Sequence, residues 1–225
     1  MPGLEVPREN KAGLVYDALK EAILSGQLEP GAPIDKAAIC ERLGVSRFPA
    51  STAIGRLAFE RLVVVEPQHG SFVAGISIAG VREALFIRRA LETEIAARAA
   101  SELEPARKRS LEGNVEAQAK ALKARDLPEF FALDIALHQS LADGLGLRAS
   151  REILGNLRAH LERLRRMLMQ PSGNVERTLA EHRALVEAIA KGSAVAAGKA
   201  MATHIAAVAE AFEAFARQNP TLFVA

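Results

Sequence analysis

The segment ICERLGVSRFPASTAIGRL, residues 39–57, constrains the fold most, because it predicts two short helices separated by one tight turn. Gly44 ends the first helix, as glycine does at a left-handed C-terminal cap, and Ser46 is a good N-cap for the second helix. Pro49 falls in the first turn of the second helix, where its missing N–H costs little. The pattern is typical of a helix-turn-helix, in which the second helix enters the major groove of DNA.

An ordinary helical hairpin has the same spacing, so the flanking segments decide between the two interpretations. Residues 62–74, LVVVEPQHGSFVA, have β-branched runs on both sides of a turn cluster, which predicts a two-stranded hairpin. A hairpin directly after a helix-turn-helix is the wing of a winged helix. A first helix over residues 11–25 and an N-cap at Asp35 for the helix that carries Ile39 complete this unit.

Composition and charge limit the partners of the chain. The net charge is +2, and residues 1–75 contain eight basic and nine acidic side chains, so DNA binding needs a local basic face. The single cysteine, Cys40, excludes an internal disulfide and fits a reducing compartment. No apolar run approaches the roughly 20 residues that span a bilayer. We therefore expect a cytoplasmic protein without a membrane partner.

The chain from about residue 78 onward predicts helices throughout and gives no strand signal. The predicted helices end at glycine or proline clusters and cover about 78–101, 104–125, 127–145, 150–169, 175–191 and 194–218. Short connections predict a compact antiparallel bundle. The predicted fold is thus mainly α, a winged helix-turn-helix followed by an all-α antiparallel helical bundle of about six helices. Its predicted divisions are a flexible arm (1–10), the winged helix (11–75), a linker (76–79) and the bundle (80–218).

Histidines are the chemically distinctive residues of the predicted bundle, which contains four of the five in the chain. Asp134 and His138 are four apart on one helix face, and His182 and His204 lie on apolar stretches of two other helices. One carboxylate and three imidazoles can close around a divalent cation, with zinc favoured and nickel, manganese or iron as alternatives. Each histidine alone could be a hydrogen-bonded core residue. His160 lies on a charged face and is expected to be solvated or to contact an effector.

The N-terminal motifs resemble the winged-helix domain of GntR-type bacterial transcription regulators. The segments AILSGQLEPGAPI, ERLGVSRFPA and LVVVEPQHGSFVA occur in that family's order and spacing over residues 11–74. The resemblance implies that Arg47 contacts DNA and that His69 and Gly70 lie at the wing tip, where the family reaches the minor groove. The candidate DNA-binding residues are Lys36, Arg47, Ser51, Arg56, His69 and Gly70.

Three positions depart from the family pattern. Ser51 stands where the family usually has arginine, Lys36 where it has glutamate, and Arg61 where it has glycine. Serine cannot supply arginine's bidentate donor to guanine or phosphate, whereas Lys36 could reach a phosphate. We therefore expect an operator that differs from the commonest operators of the family.

The bundle resembles the C-terminal ligand-binding domain, called FCD, of the FadR-like branch of the same family. The segments RDLPEFFALDIALHQSLA and ERTLAEHRALVEAIAKGSAVAA carry the resemblance, which covers about residues 80–217. It implies a metal held by Asp134, His138, His182 and His204. It also implies that Arg88 pairs with the carboxylate of a small organic-acid or sugar-acid effector bound next to the metal. A homodimer on a palindromic operator, acting as a repressor, completes the expectation.

Two alternatives keep the same residues but change the function. The metal could be purely structural in a DNA-binding regulator, or it could activate water in a hydrolase. The sequence shows neither a nucleophile elbow nor an obvious general base near the histidines, and an enzyme would leave the winged helix without a task. We therefore expect a regulator and not an enzyme.

Overall fold

A computed structural model describes residues 11–168 and 174–224, with the backbone alone at 158–160, 162–163 and 165–168. Three expectations lie outside the described residues. These are the arm over 1–10, the end of the fourth bundle helix near residue 170, and the environment of the His160 side chain.

The N-terminal unit is the predicted winged helix. Its elements are α1 (Lys11–Leu24), α2 (Lys36–Leu43), α3 (Arg47–Phe59), β1 (Val63–Glu66) and β2 (Gly70–Val73). Asp35 caps α2 by accepting hydrogen bonds from two backbone N–H groups, and Gly44 ends it at φ 61°. Ser46 occupies the N-cap position of α3, as predicted, although its hydroxyl makes no cap hydrogen bond.

A cluster of polar side chains links the C-terminal end of α3 to α1 by hydrogen bonds, beside the hydrophobic core of this unit. The Tyr16 hydroxyl donates to Oε1 of Glu60 at 2.6 Å, and Lys20 Nζ donates to Oε2 of the same carboxylate at 2.8 Å. The Arg56 guanidinium lies over the Tyr16 ring, 3.7 Å from its centroid. The last turn of α3 is therefore held by a charged network as well as by apolar packing.

The wing follows α3 directly, as predicted. β1 and β2 pair antiparallel from Val63 opposite Val73 to Glu66 opposite Gly70. Arg61, in the turn before β1, has φ 57°, a left-handed conformation that favours glycine. The backbone geometry explains why glycine is the usual residue of the family at this position.

The second half of the chain is the predicted antiparallel bundle, and the observed bounds lie within a few residues of the predicted ones. Its helices are α4 (Ile78–Glu102), α5 (Pro105–Ala124), α6 (Leu127–Gly144), α7 (Arg148–Leu168), α8 (Asn174–Ala190) and α9 (Ala194–Gln218). Helix α4 packs along α9, and α8 contacts α4, α5 and α9. Phe130, Leu137, Leu185 and Phe212 are fully buried in the shared core. In the part of the chain that is described, no helix has the length and apolarity needed to cross a bilayer.

The expectation of no strand after residue 78 is wrong. A 3-10 turn (Pro220–Leu222) leads into β4 (Phe223–Val224), which pairs in parallel with β3 (Ile76–Ser77). A Cβ on Gly75 would lie 2.5 Å from Cγ1 of Val224, so glycine permits this close approach. The predicted linker 76–79 accordingly contains β3 and the first residues of α4. Strands of two residues are too short to show a periodic sequence pattern.

Candidate metal centre

Three buried imidazoles converge in the bundle core. His138 comes from α6, His182 from α8 and His204 from α9, and their ring centroids are 4.8 to 5.4 Å apart. One possible ligand atom from each lies within 4.8 Å of the others. Asp134, one turn before His138, places Oδ1 3.6 Å from Nε2 of His182. The structure therefore brings the three predicted histidines together and places Asp134 beside one of them, His182.

The outward-facing nitrogen of each imidazole contacts a side-chain oxygen. The Nδ1 atoms of His138, His182 and His204 lie 2.5, 2.8 and 2.8 Å from oxygens of Glu92, Gln118 and Glu181, respectively. A carboxylate or amide oxygen only accepts, so we assign the proton of each ring to Nδ1. The lone pair then belongs to Nε2, the nitrogen that can coordinate. Metal-bound histidines in proteins have the same outer partners.

Gln118 is held in one orientation by a chain of hydrogen bonds that ends on the backbone. Its amide nitrogen donates to Oδ1 of Asn114 at 2.7 Å, and Asn114 Nδ2 donates to the Leu133 carbonyl at 3.0 Å. Because a backbone carbonyl can only accept, it fixes the orientation of Asn114 and hence of Gln118. The oxygen of Gln118 then faces His182 and accepts its proton.

Arg88, the residue predicted to bind an effector, is buried beside the histidine cluster. Its Nε donates to Oε1 of Glu92 at 2.6 Å, and the other oxygen of Glu92 accepts from His138. Burial lowers the pKa of Arg88, but the charge and hydrogen bond of Glu92, with the charge of Asp134, raise it above its usual value. The guanidinium is therefore charged and linked to the cluster through Glu92.

The sequence expectations did not include Glu92, Gln118 or Glu181. A signal was available for two of them, since Glu92 follows Arg88 by four residues and Gln118 follows Asn114 by four residues, each pair on one helix face. Glu92 and Gln118 are almost completely buried, with exposed fractions of 2% and 0%, respectively. Which histidine each side chain meets depends on helix packing and not on local spacing.

The donor set fits a divalent metal ion. Three imidazole nitrogens and one carboxylate oxygen match the ligands and the number that zinc takes in proteins, and they also suit nickel, manganese and iron. Asp134 and the three histidines are at most 6% exposed. A cation at this point would stabilise a carboxylate that is otherwise expensive to keep ionised in a core.

Five of the six predicted DNA-binding residues are exposed on the winged helix. Arg47 and Ser51 are exposed on α3. His69 is exposed in the turn between β1 and β2, and Gly70 is exposed as the first residue of β2. Lys36 is half-buried as the first residue of α2. Arg56 is exposed along α3 but stacks on Tyr16 and lies 3.4 Å from the Glu60 carboxylate, so part of its binding capacity is used within the chain.

Comparison with known proteins identifies the family. Residues 11–73 match the model described as "Bacterial regulatory proteins, gntR family", and residues 83–207 match the FCD domain. The chain is 32% identical to the HTH-type transcriptional repressor RspR of Escherichia coli (strain K12) over 209 residues, which cover 93% of this chain and 92% of that protein. It is 27% identical to the gluconate operon transcriptional repressor of Bacillus subtilis (strain 168), over 76% of this chain and 72% of that protein.

Solved structures agree on the fold. Escherichia coli McbR/YncC superposes with a TM-score of 0.75 at 19% identity, over 91% of this chain and 98% of that one. A putative GntR regulator from Rhodococcus sp. RHA1 gives a TM-score of 0.74 at 24% identity with the same coverage. The chain belongs to the GntR family of bacterial transcriptional regulators and carries an FCD domain. It is a regulator and not an enzyme, as the sequence predicted, and regulators of this family bind DNA operators.

Proposed function

We propose that the chain is a homodimeric repressor whose operator binding is controlled by a small carboxylate effector bound next to a divalent metal ion. The observation that supports this proposal is the convergence of Asp134, His138, His182 and His204 in the FCD domain, with Arg88 linked to them by Glu92. Two relatives, which match 93% and 76% of this chain, are named as repressors.

The charges around the cluster favour an anionic effector. Arg88 and Glu92 form a buried ion pair and neutralise each other. Glu181, the partner of His204, is in turn paired with Arg177, whose Nε lies 3.6 Å from Oε1. Asp134 then adds one negative charge. A divalent cation would make this core singly positive, which is unfavourable in a buried site. One effector carboxylate would neutralise it, and it would contact both a Lewis acid and a guanidinium.

In this proposal the residues around the histidine cluster have three roles: binding the metal, orienting the imidazoles and orienting the effector. Asp134 and the three histidines would hold the metal, and Glu92, Gln118 and Glu181 would keep the imidazoles in the coordinating tautomer. The metal would supply a positive point to which a carboxylate oxygen can bind. Arg88 would orient the effector with its terminal nitrogens while Nε remains on Glu92.

The DNA-binding role belongs to the winged helix. In a two-fold dimer, two copies of α3 would enter successive major grooves of a palindromic operator, with Arg47 at the N-terminal end of each. His69 and Gly70 would approach the adjacent minor groove. The effector would shift operator affinity only by its different affinity for the two arrangements of the dimer. The site of action would be the cytoplasm, where bacterial DNA lies.

A purely structural metal is the second candidate, and the burial of the cluster favours it. The three histidines are at most 3% exposed, and structural metal sites are closed, whereas ligand-binding sites keep an open position. In that case metal removal would unfold the bundle, and no organic acid would change DNA binding.

Elemental analysis of untagged protein tests the metal, and a DNA-binding assay separates the two candidates. We expect one ion per chain in the wild type and in His69→Ala, whose exposed wing residue serves as a control, and loss of the ion in His182→Ala. A panel of organic and sugar acids should then release wild-type protein from DNA. Protein without metal would contradict the metal proposal, and metal without acid-dependent release would favour the structural role.

A further inference from the structure

The face of α3 that points away from the core carries two exposed phenylalanines. Phe48 and Phe59 are 81% and 82% exposed, and Ser51, Thr52 and Gly55 lie between them on the same face. Their spacing follows the helix repeat, so these side chains form one continuous stripe. The side that a recognition helix offers to base edges therefore carries phenylalanine and hydroxyl groups, with arginines only at its margins.

Phe48 is placed where such a helix meets the bases. It is the second residue of α3, and the N-terminal residues of a recognition helix contact base edges in the major groove. The apolar group in that groove is the C5-methyl of thymine, which phenylalanine can contact. Phe59 is the last residue of α3, at the end of the helix directed away from the bases.

Gly55 provides an independent observation on the same stripe. Glycine inside a helix destabilises it relative to alanine. A Cβ at Gly55 would meet no atom within 4 Å, so packing within the chain does not require glycine there. A missing side chain on an exposed helix face lets another molecule approach the backbone closely.

We infer that Phe48 selects thymine in the operator by packing against its C5-methyl group, and that Gly55 lets α3 lie deep enough for this contact. Arg47, next to Phe48, supplies the charge that anchors the helix end to the DNA backbone. The inference deepens the proposed function by giving α3 a base preference. It depends on DNA binding and not on the metal or the effector.

Replacing thymine by deoxyuridine tests the contact, because only the methyl group is removed. The full-length wild-type protein first selects duplexes from a random-sequence pool, and each thymine of an enriched duplex is then replaced in turn. At one position in each half-site, we expect wild-type affinity to fall about fourfold, as for losing burial of one methyl-sized group. Phe48→Ala should bind the thymine and deoxyuridine duplexes equally, and Phe59→Ala should keep the wild-type discrimination.

Two further variants make the result decisive. Phe48→Leu keeps an apolar contact and should retain part of the discrimination. Gly55→Ala should raise the melting temperature yet weaken binding to every duplex, an outcome that a purely structural glycine would not give.

Several outcomes would overturn the inference. The first is a wild-type protein that binds DNA without sensitivity to the thymine methyl group. The second is a Phe48→Ala variant that keeps full discrimination between thymine and deoxyuridine. The third is a Phe48→Ala variant that loses DNA binding because its oligomeric state has changed. A wild-type protein that enriches no duplex would reject the inference and the DNA-binding function together, so the two failures are distinguishable.

Discussion

A carboxylate oxygen of Glu92 lies 2.5 Å from Nδ1 of His138, although the two residues are 46 positions apart in the chain and on different helices. The other oxygen of the same carboxylate accepts from Arg88. The residue proposed to bind the effector and a residue proposed to bind the metal thus share one carboxylate. By linkage, any coupling between the two ligands acts equally in both directions.

Glu92→Gln should weaken metal binding about 10- to 100-fold, as loss of an outer partner of a metal-bound histidine does. The carboxamide is a weaker acceptor for Nδ1 of His138, and it leaves the Arg88 charge without its counterion. Competition with a chromophoric chelator measures the affinity. Glu94→Gln, an exposed residue of the same helix, is the matched control and should bind like the wild type. Equal affinity in both variants would show that Glu92 has no role at the centre.

Glu60→Gln should destabilise the winged helix in a pH-dependent way. Burial raises the pKa of Glu60, but hydrogen bonds from Lys20 and Tyr16 and the charges of Lys20 and Arg56 lower it below its usual value. Because the folded pKa is depressed, this stabilisation is present above the unfolded pKa and disappears as pH falls through the folded pKa. We expect a loss of about 1–2 kcal/mol at neutral pH, and a smaller difference between variant and wild type in acid.

Tyrosine fluorescence can measure the pH-dependent stability of the Glu60→Gln variant. Tyr16 is the single tyrosine, and tryptophan is absent, so intrinsic fluorescence reports on the cluster that contains Glu60. Urea unfolding at a series of pH values would give the stability difference. Glu41→Gln, at an exposed position of α2, should be neutral throughout. A pH-independent loss in Glu60→Gln would assign the effect to shape and not to charge.

Arg61→Gly should stabilise the winged helix by about 1 kcal/mol, because it relieves a left-handed backbone conformation. Arg61→Ala removes the same side chain but keeps a Cβ, so it should leave the strain in place and change stability little. Urea unfolding followed by Tyr16 fluorescence compares the three proteins. Equal stabilisation by glycine and alanine would mean that the arginine side chain, and not the backbone conformation, destabilises the folded state at this position.

Gly75→Ala should destabilise the protein by about 1 kcal/mol, because the new methyl group would overlap the Val224 side chain. Val224→Ala removes the atoms that would collide. In the double variant, the loss from Gly75→Ala should therefore be smaller than in the wild-type background. Thermal unfolding of the four proteins completes the cycle. Strictly additive effects would contradict the contact between β4 and the segment before α4.

Local signals were sufficient to predict most of the fold. The side chain of Asp35 and the left-handed backbone of Gly44 act within a few residues, so the bounds of α2 could be predicted. Proline at the start of α5 and glycine after α8 similarly placed helix ends in the bundle. The family resemblance, which comparison with known proteins confirms, supplied the domain pairing.

The parts that could not be predicted depend on contacts between distant segments. Gln118 and His182 are 64 positions apart, and only the packing of α5 against α8 brings them together. β4 exists because its two residues find β3, and such a short pairing leaves no periodic pattern. The four metal-binding candidates were the exception, because helical spacing and an apolar context singled them out and the family resemblance gave the same set.

Helix α9 forms one wall of the histidine cluster through His204 and then continues through the 3-10 turn to β4. β4 is bonded to β3, from which α4 starts, and α4 carries Arg88 and Glu92. Helices α4 and α9 therefore each connect the histidine cluster to the junction with the winged helix. A sliding movement of α9 relative to α4 would have to break the β3–β4 pairing. Movements that keep this pairing intact must carry both helices together, so the histidine cluster and the junction would move as one rigid unit.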